Sequence, residues 1–249
     1  MRLENRVAVV TGAARGIGRA VALRYAREGA DVVVVALQDQ GAAEAVRNEV
    51  QAPGRRALVC MADVARRSQV EEMVRASVER FGRIDILVNN AGIIHPTPFM
   101  ELPEEQWDRV LAVHLKGTFN CTQVVAKAMR EKGYGRIINV TAPAALRATD
   151  AVADYAAAKG GIMALTKSAA RELAPYGITV NCVLPVAETR MTDALRDFRG
   201  STGKKEDTRF PLGRYPTMEE VAEAFVFFAL ESSRAITGQV LAVDGGLTM

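Results

Sequence analysis

The chain has 249 residues, of which 49% are hydrophobic and 24% are charged, and its formal net charge is +3. This balance predicts a single folded α/β domain over residues 1–249 and excludes a disordered chain. The 32 basic and 29 acidic residues are interspersed, so no polybasic arm indicates nucleic acid or a membrane surface as a partner.

The N-terminal segment and the few thiols and imidazoles set further limits. Residues 1–6 are largely charged and lead into a short apolar run, which is typical of neither a signal peptide nor a membrane span. Cys60, Cys121 and Cys182 are far apart and lie within or beside apolar segments, so they indicate buried thiols without a disulfide framework. His95 and His114 are the only two histidines, and no metal-binding spacing occurs. We expect a cytoplasmic protein without a metal site.

Short β-branched runs alternate with longer helical patterns along the chain. The predicted strands are Val7–Val10, Val32–Val35, Ala57–Cys60, Ile84–Val88, Arg136–Val140, Ile178–Val183 and Val240–Val243. This alternation predicts a doubly wound, Rossmann-type parallel sheet of seven strands with helices on both faces. Such sheets bind ligands beyond the carboxyl ends of their strands, where the strand order reverses. Functional residues should therefore follow strands directly.

A glycine-rich loop, Thr11–Gly18, follows the first predicted strand and precedes a segment with helical periodicity. Its glycines permit a tight turn and close backbone approach, and the N–H groups at the helix N-terminus attract a pyrophosphate. The order of strand, glycine loop and helix favours dinucleotide binding over a purely structural turn. The spacing T-G-x-x-x-G-I-G differs from the G-x-G-x-x-G pattern.

Tyr155 and Lys159 are four residues apart in a helical segment, which places a phenol and an ammonium on one face. A nearby cation favours the phenolate and lowers the phenol pKa from its usual value of about 10. A tuned tyrosine can exchange a proton with a substrate oxygen. The alternative is an ordinary surface tyrosine beside a solvated lysine.

Together with Asn89-Asn90-Ala91-Gly92, these motifs make the chain resemble the classical short-chain dehydrogenase/reductase family, from Val7 to Gly246. The three motifs stand in the order and at the spacing of that family. The resemblance implies that Lys159 binds the nicotinamide ribose and lowers the pKa of Tyr155. It also implies a set of cofactor contacts at Gly12, Gly16, Ile17 and Gly18 for the phosphates, Asp63 and Val64 for the adenine, and Asn90, Ala91 and Gly92 for the ribose side. A homotetramer is implied as well, through segments 104–132 and 152–176.

The choice of cofactor follows from charge. By resemblance, the acidic residue that accepts hydrogen bonds from the ribose hydroxyls of NAD falls on Ala36, which has no carboxylate. Arg15 could meet the 2′-phosphate of NADP, or it could be a solvated loop charge. These residues favour NADP(H). NAD(H) stays the alternative, since Asp39 is close in sequence to the acidic position.

The chain departs from the family pattern at two places near the predicted proton donor. The family has a serine thirteen residues before the tyrosine, where this chain has Ala142. Thr141 is the obvious substitute, but adjacent strand residues point to opposite faces, so its catalytic role and a misdirected hydroxyl are evenly balanced. His114 stands where the family has asparagine. It either maintains a water-linked proton relay to the lysine or fills space as a buried imidazole.

A third departure follows the sixth predicted strand. After Pro185 the usual glycine is missing and the loop is one residue short, so Thr189 is the candidate contact for the nicotinamide carboxamide. The polar stretch 188–216 lacks apolar periodicity, and we interpret it as a flexible lid, with an uninvolved surface excursion as the alternative.

These observations predict an NADP(H)-dependent oxidoreductase that interconverts a ketone and a secondary alcohol, with Tyr155 as proton donor or acceptor. Candidate substrates are 3-ketoacyl thioesters and cyclic ketones. The alternative is a dinucleotide-binding sensor or scaffold of the same fold, because Ala142 removes a usual catalytic hydroxyl.

Overall fold

The fold is described here from a computed structural model, for residues 1–201 and 210–249. In chain order the strands are β1 (Val7–Thr11), β2 (Asp31–Ala36), β3 (Ala57–Met61), β4 (Ile86–Asn89), β5 (Gly135–Val140), β6 (Ile178–Pro185) and β7 (Val240–Val243). They form one seven-stranded sheet in the order β3-β2-β1-β4-β5-β6-β7, and every pairing is parallel. The predicted doubly wound fold is confirmed.

The helices lie on both faces of the sheet. They are α1 (Gly16–Arg27), α2 (Gln40–Gln51), α3 (Arg67–Phe81), α4 (Glu104–Leu111), α5 (Gly117–Lys132), α6 (Ala153–Leu173), α7 (Arg190–Ser201) and α8 (Met218–Ala229). A π-helical turn, Ala112–Lys116, joins α4 to α5. Because α1, α2 and α8 cover one face while α3, α5 and α6 cover the other, alternate strand residues enter two separate cores. Val32 and Val34 face the first core, and Val33 and Val35 face the second.

Strand ends differ from the sequence prediction where pairing, rather than composition, sets them. β4 begins at Ile86 instead of Ile84, and the Asp85 carboxylate accepts a 2.9 Å hydrogen bond from the Val7 N–H. β6 continues to Pro185, because Leu184 and Pro185 pair with β7.

The segment predicted as an aperiodic lid, 188–216, needs a correction in its first half. Residues Arg190–Ser201 form α7, and the Thr189 hydroxyl caps it by accepting from the Thr192 N–H at 3.3 Å. Apolar residues at helical spacing carry the signal that the sequence prediction missed: Met191, Ala194, Leu195 and Phe198. Residues 202–209, in the middle of the predicted loop, lie outside the described residues.

In residues 1–201 and 210–249, no helix combines the length and the apolarity that a bilayer crossing demands. Over the same ranges, no three His, Cys, Asp or Glu side chains come together as metal ligands.

Candidate active site

The strand order reverses between β1 and β4, and the loops that follow these two strands are tied together there. The Thr11 hydroxyl donates to the Val88 carbonyl at 3.1 Å and accepts from the N–H groups of Asn90 and Ala91 at 2.9 and 3.1 Å. The Asn90 amide donates to the Thr11 and Gly12 carbonyls at 2.9 and 3.2 Å. The glycine loop and the Asn90 loop therefore form one rigid floor. Thr11 belongs to this floor, although the sequence prediction did not include it among the site residues.

Glycine is required at two positions of this floor because the backbones meet closely. A Cβ at Gly18 would lie 2.3 Å from the Gly12 carbonyl oxygen and 2.5 Å from the Asn90 amide nitrogen. Gly12 has a φ of +65°, and a Cβ there would lie 3.0 Å from the Ala91 Cα. Side chains at either position would push the two loops apart.

The N-terminus of α1 is free to receive an anion. No acidic residue occupies its first turn, and the preceding residue, Arg15, provides no side-chain cap. Unpaired N–H groups and the positive end of the helix dipole are therefore available to phosphate oxygens. Above Gly16 a Cβ would find its first neighbour only at 4.0 Å, the Cγ2 of Thr189. This open cradle fits the pyrophosphate of a dinucleotide, with Gly16 and Ile17 as the first helical residues.

Arg15 forms an exposed ion pair with an acid that follows β2. Its guanidinium lies 3.2 Å from the carboxylate of Asp39, and both side chains are about half exposed, at 49% and 51%. Asp39 also caps α2, because it accepts from the Ala42 N–H at 3.0 Å. Ala36 ends β2 with a buried methyl group, and Asp39, the first acid after it in the sequence, is the one that Arg15 contacts.

The residues predicted to flank the adenine follow β3. Asp63 is 9% exposed and accepts from the Ala65 N–H at 3.0 Å and from Arg109 at 3.2 Å. Val64 is buried, and its carbonyl accepts from the amide of Asn120 at 3.0 Å. Both residues are thus fixed by neighbouring elements. Arg109, from α4, is an additional charged group on this side that the sequence prediction did not include.

Tyr155 and Lys159 lie on α6 beside the end of β5. The Lys159 ammonium is 5.4 Å from the centre of the Tyr155 ring and donates to the Val140 carbonyl at 2.8 Å. Burial lowers the pKa of Lys159 from 10.5 to about 8. Burial raises the pKa of Tyr155 above its usual value of 10. Desolvation of the phenolate causes this increase, and the lowering of the Tyr155 pKa by Lys159 stays a prediction.

The raised pKa has a chemical meaning. The Tyr155 phenol holds its proton at neutral pH, but its raised pKa makes it a weaker acid, so proton transfer needs a cation to stabilise the phenolate. Lys159, with a pKa of about 8, is predominantly charged at neutral pH and can stabilise the phenolate that remains after proton transfer. The pair suits delivery of a proton to an oxygen that is gaining negative charge.

The Thr141 hydroxyl is already used. It is buried and donates to the Lys159 carbonyl at 3.0 Å, and the Thr141 N–H still pairs with β6 through the Val183 carbonyl at 2.9 Å. The hydrogen bonding to β6 therefore extends one residue beyond the end of β5, and the Thr141 side chain binds the backbone of α6. This geometry supports a structural role and gives no support to Thr141 as the substitute for a serine at Ala142.

His114 lies in the π-helical turn, and its imidazole is 1% exposed. Its Nε2 lies 2.7 Å from the Ile93 carbonyl and 3.0 Å from the Ile93 N–H, while its Nδ1 is buried without a partner. The ring meets the Tyr155 ring edge-on at 5.1 Å. A Cβ at Gly92 would lie 2.3 Å from the imidazole Cε1, so the ring fills the space that this glycine leaves.

Burial and the charge of Lys159 lower the pKa of His114 from 6.5 to about 3. As pH falls below 6.5, His114 binds a proton in the unfolded chain but stays neutral in the folded protein. The free energy of unfolding therefore decreases between pH 6.5 and 3. We expect wild type to lose about 2 kcal/mol more unfolding free energy than His114→Asn between pH 7 and pH 5. Urea denaturation at the two pH values measures the difference. His95→Asn, which removes an exposed imidazole, serves as the control. Equal acid sensitivity of wild type and His114→Asn would contradict the lowered pKa of His114.

Below the site, a buried chain of polar side chains connects four elements. The Asn89 amide donates to Thr122 at 3.0 Å and to Asn139 at 2.8 Å, and Asn139 donates to Thr166 at 2.9 Å. This chain links β4, β5, α5 and α6, so the strand that ends at the Asn90 loop and the helix that carries Tyr155 are fixed relative to each other.

The structure brings most of the predicted site residues to one edge of the sheet. The glycine loop, the Asn90–Gly92 loop, His114, Tyr155 and Lys159 surround the reversal point, and Thr189 approaches Gly16 from the start of α7. Thr189 is held by reciprocal hydrogen bonds with Thr192, including its N–H to the Thr192 hydroxyl at 2.7 Å. Cofactor contacts at these positions stay predictions.

The chain is similar to known proteins over nearly its whole length. A family model described as "Enoyl-(Acyl carrier protein) reductase" matches residues 12–248. Among curated proteins, the 3-oxoacyl-[acyl-carrier-protein] reductase FabG of Thermotoga maritima is 40% identical over 250 residues and covers 100% of both chains. The 3-oxoacyl-[acyl-carrier-protein] reductase of Synechocystis sp. is 42% identical and covers 99% of this chain and 98% of its own.

Solved structures share the fold over nearly the whole length. NAD⁺-bound xylitol dehydrogenase superposes with a TM-score of 0.91 at 30% identity, covering 99% of this chain and 100% of its own. Levodione reductase gives a TM-score of 0.88 at 32% identity and covers 99% of each chain. The fold is therefore common to this chain and to these two structures.

Proposed function

The chain belongs to the short-chain dehydrogenase/reductase family, and we propose that it is an NADP(H)-dependent ketoreductase whose substrates are 3-oxoacyl thioesters. The observation that carries the proposal is the protonated Tyr155 beside the charged Lys159, at the edge where the glycine loop offers a phosphate cradle. A protein that only bound a dinucleotide would need no such acid.

In the proposed reaction the bound nicotinamide cofactor supplies a hydride to the carbonyl carbon. Tyr155 donates its phenolic proton to the carbonyl oxygen, which becomes the hydroxyl of the product. Lys159 stabilises the negative charge that develops on the phenol oxygen and holds the cofactor ribose. Gly12, Gly16 and Gly18 let the backbone approach the cofactor phosphates, and the Asn90–Gly92 loop closes the site from the other side.

Selection of NADP(H) over NAD(H) rests on charge at the end of β2. The absence of a carboxylate at Ala36 removes the group that would repel a 2′-phosphate, and Arg15 lies within the glycine loop with its charge on that side. Asp39 opposes this preference, because it already pairs with Arg15. We propose NADP(H) as the cofactor. The competition between Asp39 and the 2′-phosphate for Arg15 sets the size of the preference over NAD(H).

A turnover assay with defined substrates tests the proposed function. Purified wild type would be mixed with NADPH or NADH and one of four substrates: an acetoacetyl thioester, a cyclic ketone, a 2-enoyl thioester or, with the oxidised cofactor, a polyol. Nicotinamide absorbance reports turnover. The highest kcat/KM is expected for the acetoacetyl thioester with NADPH.

The other outcomes each correct one part of the proposal. A preference for the enoyl thioester would show that the protein reduces a double bond instead of a carbonyl. A preference for the polyol would change the proposed substrate class. A preference for NADH would change the proposed cofactor. Tight cofactor binding without turnover of any substrate would support the sensor or scaffold instead.

The assembly and the compartment are part of the same proposal. We propose a homotetramer, since large apolar side chains stay exposed on helices and on the edge strand: Phe119 on α5, Phe227 on α8 and Leu241 on β7. A cytoplasmic location is supported by three unpaired thiols, Cys60, Cys121 and Cys182. We further propose that the whole chain acts as a single catalytic domain, with the segment from Thr189 through α7 as its lid.

A further inference from the structure

A second polar cluster joins the loop after β4 to the turn that precedes α6. The Thr97 N–H donates to the Ala151 carbonyl at 2.8 Å, which connects the two segments through their backbones. Gln106, on α4, reaches both segments with its side chain. The sequence patterns give none of these residues a role, yet the second segment leads directly into Tyr155.

Gln106 uses both ends of its amide. Its nitrogen donates to the His95 carbonyl at 2.8 Å and to the Asp154 carboxylate at 2.9 Å, and its oxygen accepts from the Thr97 hydroxyl at 2.9 Å. One side chain thus contacts the loop after β4 at two points and the start of α6 at a third. A side chain without an amide could not make all three contacts.

Asp154 is an unusual residue for this place, because its side chain is 2% exposed. One carboxylate oxygen accepts from the Gln106 amide, and the other accepts from the Tyr155 N–H at 2.7 Å. Across residues 1–201 and 210–249 no salt bridge joins it to a cation. Burial of a carboxylate is costly unless hydrogen bonds compensate, and these two bonds tie the start of α6 to α4.

The turn that Gln106 holds is itself strained. Ala151 has a φ of +60°, a left-handed conformation that is uncommon for residues other than glycine. Its carbonyl is the acceptor for the Thr97 N–H, so the contact between the two segments is made by the strained residue. Strain of this kind persists only where surrounding contacts impose it.

We propose that Gln106 and Asp154 are positioning residues: through the contacts of Gln106 with the 95–97 loop, they hold the start of α6 in place and thereby fix Tyr155 relative to His114 and the Asn90 loop. The effect on turnover rests on the proposed function. The effect on the structure does not, because the hydrogen bonds exist in the protein whatever its substrate.

Gln106→Glu is the sharpest disruption. It nearly keeps the shape of the side chain but removes the donor to His95 and Asp154 and sets two carboxylates against each other. We expect amide hydrogen exchange to become faster in both 93–97 and 150–156, and kcat for the acetoacetyl thioester to fall about ten-fold. The Kd for NADPH should stay within two-fold of wild type, since the glycine loop is not part of this cluster.

The double variant Gln106→Glu/Asp154→Asn provides the rescue. Its asparagine amide can donate to the new glutamate while its oxygen still accepts from the Tyr155 N–H, so exchange and kcat should return to within about three-fold of wild type. Gln51→Glu and Asp108→Asn, at exposed sites, are the matched controls for the same chemical changes. If Gln106→Glu does not fold, Thr97→Val removes a single bond of the cluster, and it should speed exchange in the same two segments.

Two results would overturn the claim that this cluster holds the start of α6 in place. One is unchanged exchange in 150–156 when Gln106 or Thr97 is replaced. The other is a double variant as impaired as Gln106→Glu alone. Wild type without turnover of any ketone would refute the proposed function and leave the exchange experiment as the decisive test of positioning. Faster exchange with full kcat in an active wild-type background would refute the link to Tyr155.

Discussion

Tyr155→Phe is expected to lower kcat for reduction of a 3-oxoacyl thioester by about 10³-fold, because positioned proton donors contribute roughly 10²–10⁴-fold to such rates. The substitution removes the hydroxyl and keeps the ring, so the edge-on contact with His114 at 5.1 Å is retained. The NADPH dissociation constant should change little, since the phosphate cradle lies on α1. Single-turnover kinetics and a fluorescence titration of NADPH measure the two quantities separately.

Tyr176→Phe is the matched control for this substitution, because its ring is 42% exposed and lies at the far end of α6, after residue 173. It should retain the activity of wild type. A Tyr155→Phe variant that kept kcat within ten-fold of wild type would remove Tyr155 as the proton donor. Loss of NADPH binding together with activity would mean that the phenol serves the cofactor instead.

Ala142→Ser is expected to raise kcat about 100-fold, which is the gain from one preorganised donor to a developing oxyanion. Ala142 is extended, with φ −157° and ψ 162°, and precedes the short helical turn Pro143–Ala145. The hydroxyl nearest in sequence, that of Thr141, is spent on the Lys159 carbonyl. A serine would therefore add a donor that the site lacks. Steady-state kinetics with the acetoacetyl thioester measure the gain in kcat.

Ala148→Ser, at an exposed position of the same loop, controls for the added hydroxyl and should leave kcat unchanged. A change of less than two-fold in Ala142→Ser would mean that another group already holds the substrate oxygen. A lower KM with an unchanged kcat would mean that the serine strengthens ground-state binding of the substrate.

The sequence predicted the sheet and the motif loops well, because both depend on local patterns. Runs such as Val32–Val35 can only be buried between two layers, and all seven strands lie within two residues of their predicted bounds. The glycine loop and the Asn90 loop follow neighbouring strands, so parallel pairing of β1 with β4 brings them together. Tyr155 and Lys159 could be placed on one face of a helix from their four-residue spacing alone.

What the sequence could not supply was the outcome of burial and of long-range pairing. The pKa of Tyr155 depends on how much solvent the folded chain removes, and no local pattern reports that quantity. The partner of Thr141 is a carbonyl eighteen residues away on another element. Gln106 and Asp154 meet across 48 residues, and neither belongs to a recognised motif. The helix α7, in contrast, could have been predicted from the sequence, because apolar residues recur there at helical spacing: Met191, Ala194, Leu195 and Phe198.

The ion pair between Arg15 and Asp39 makes cofactor discrimination a competition between two anions for one guanidinium. A 2′-phosphate gains the charge of Arg15 only by displacing Asp39, and an exposed pair of this kind contributes about 0–1 kcal/mol. Both contacts are screened by salt, so the preference should narrow as ionic strength rises. Since Asp39 also caps α2, the displaced carboxylate keeps a second partner in the Ala42 N–H. Asp39 can therefore release Arg15 and still cap the N-terminus of α2.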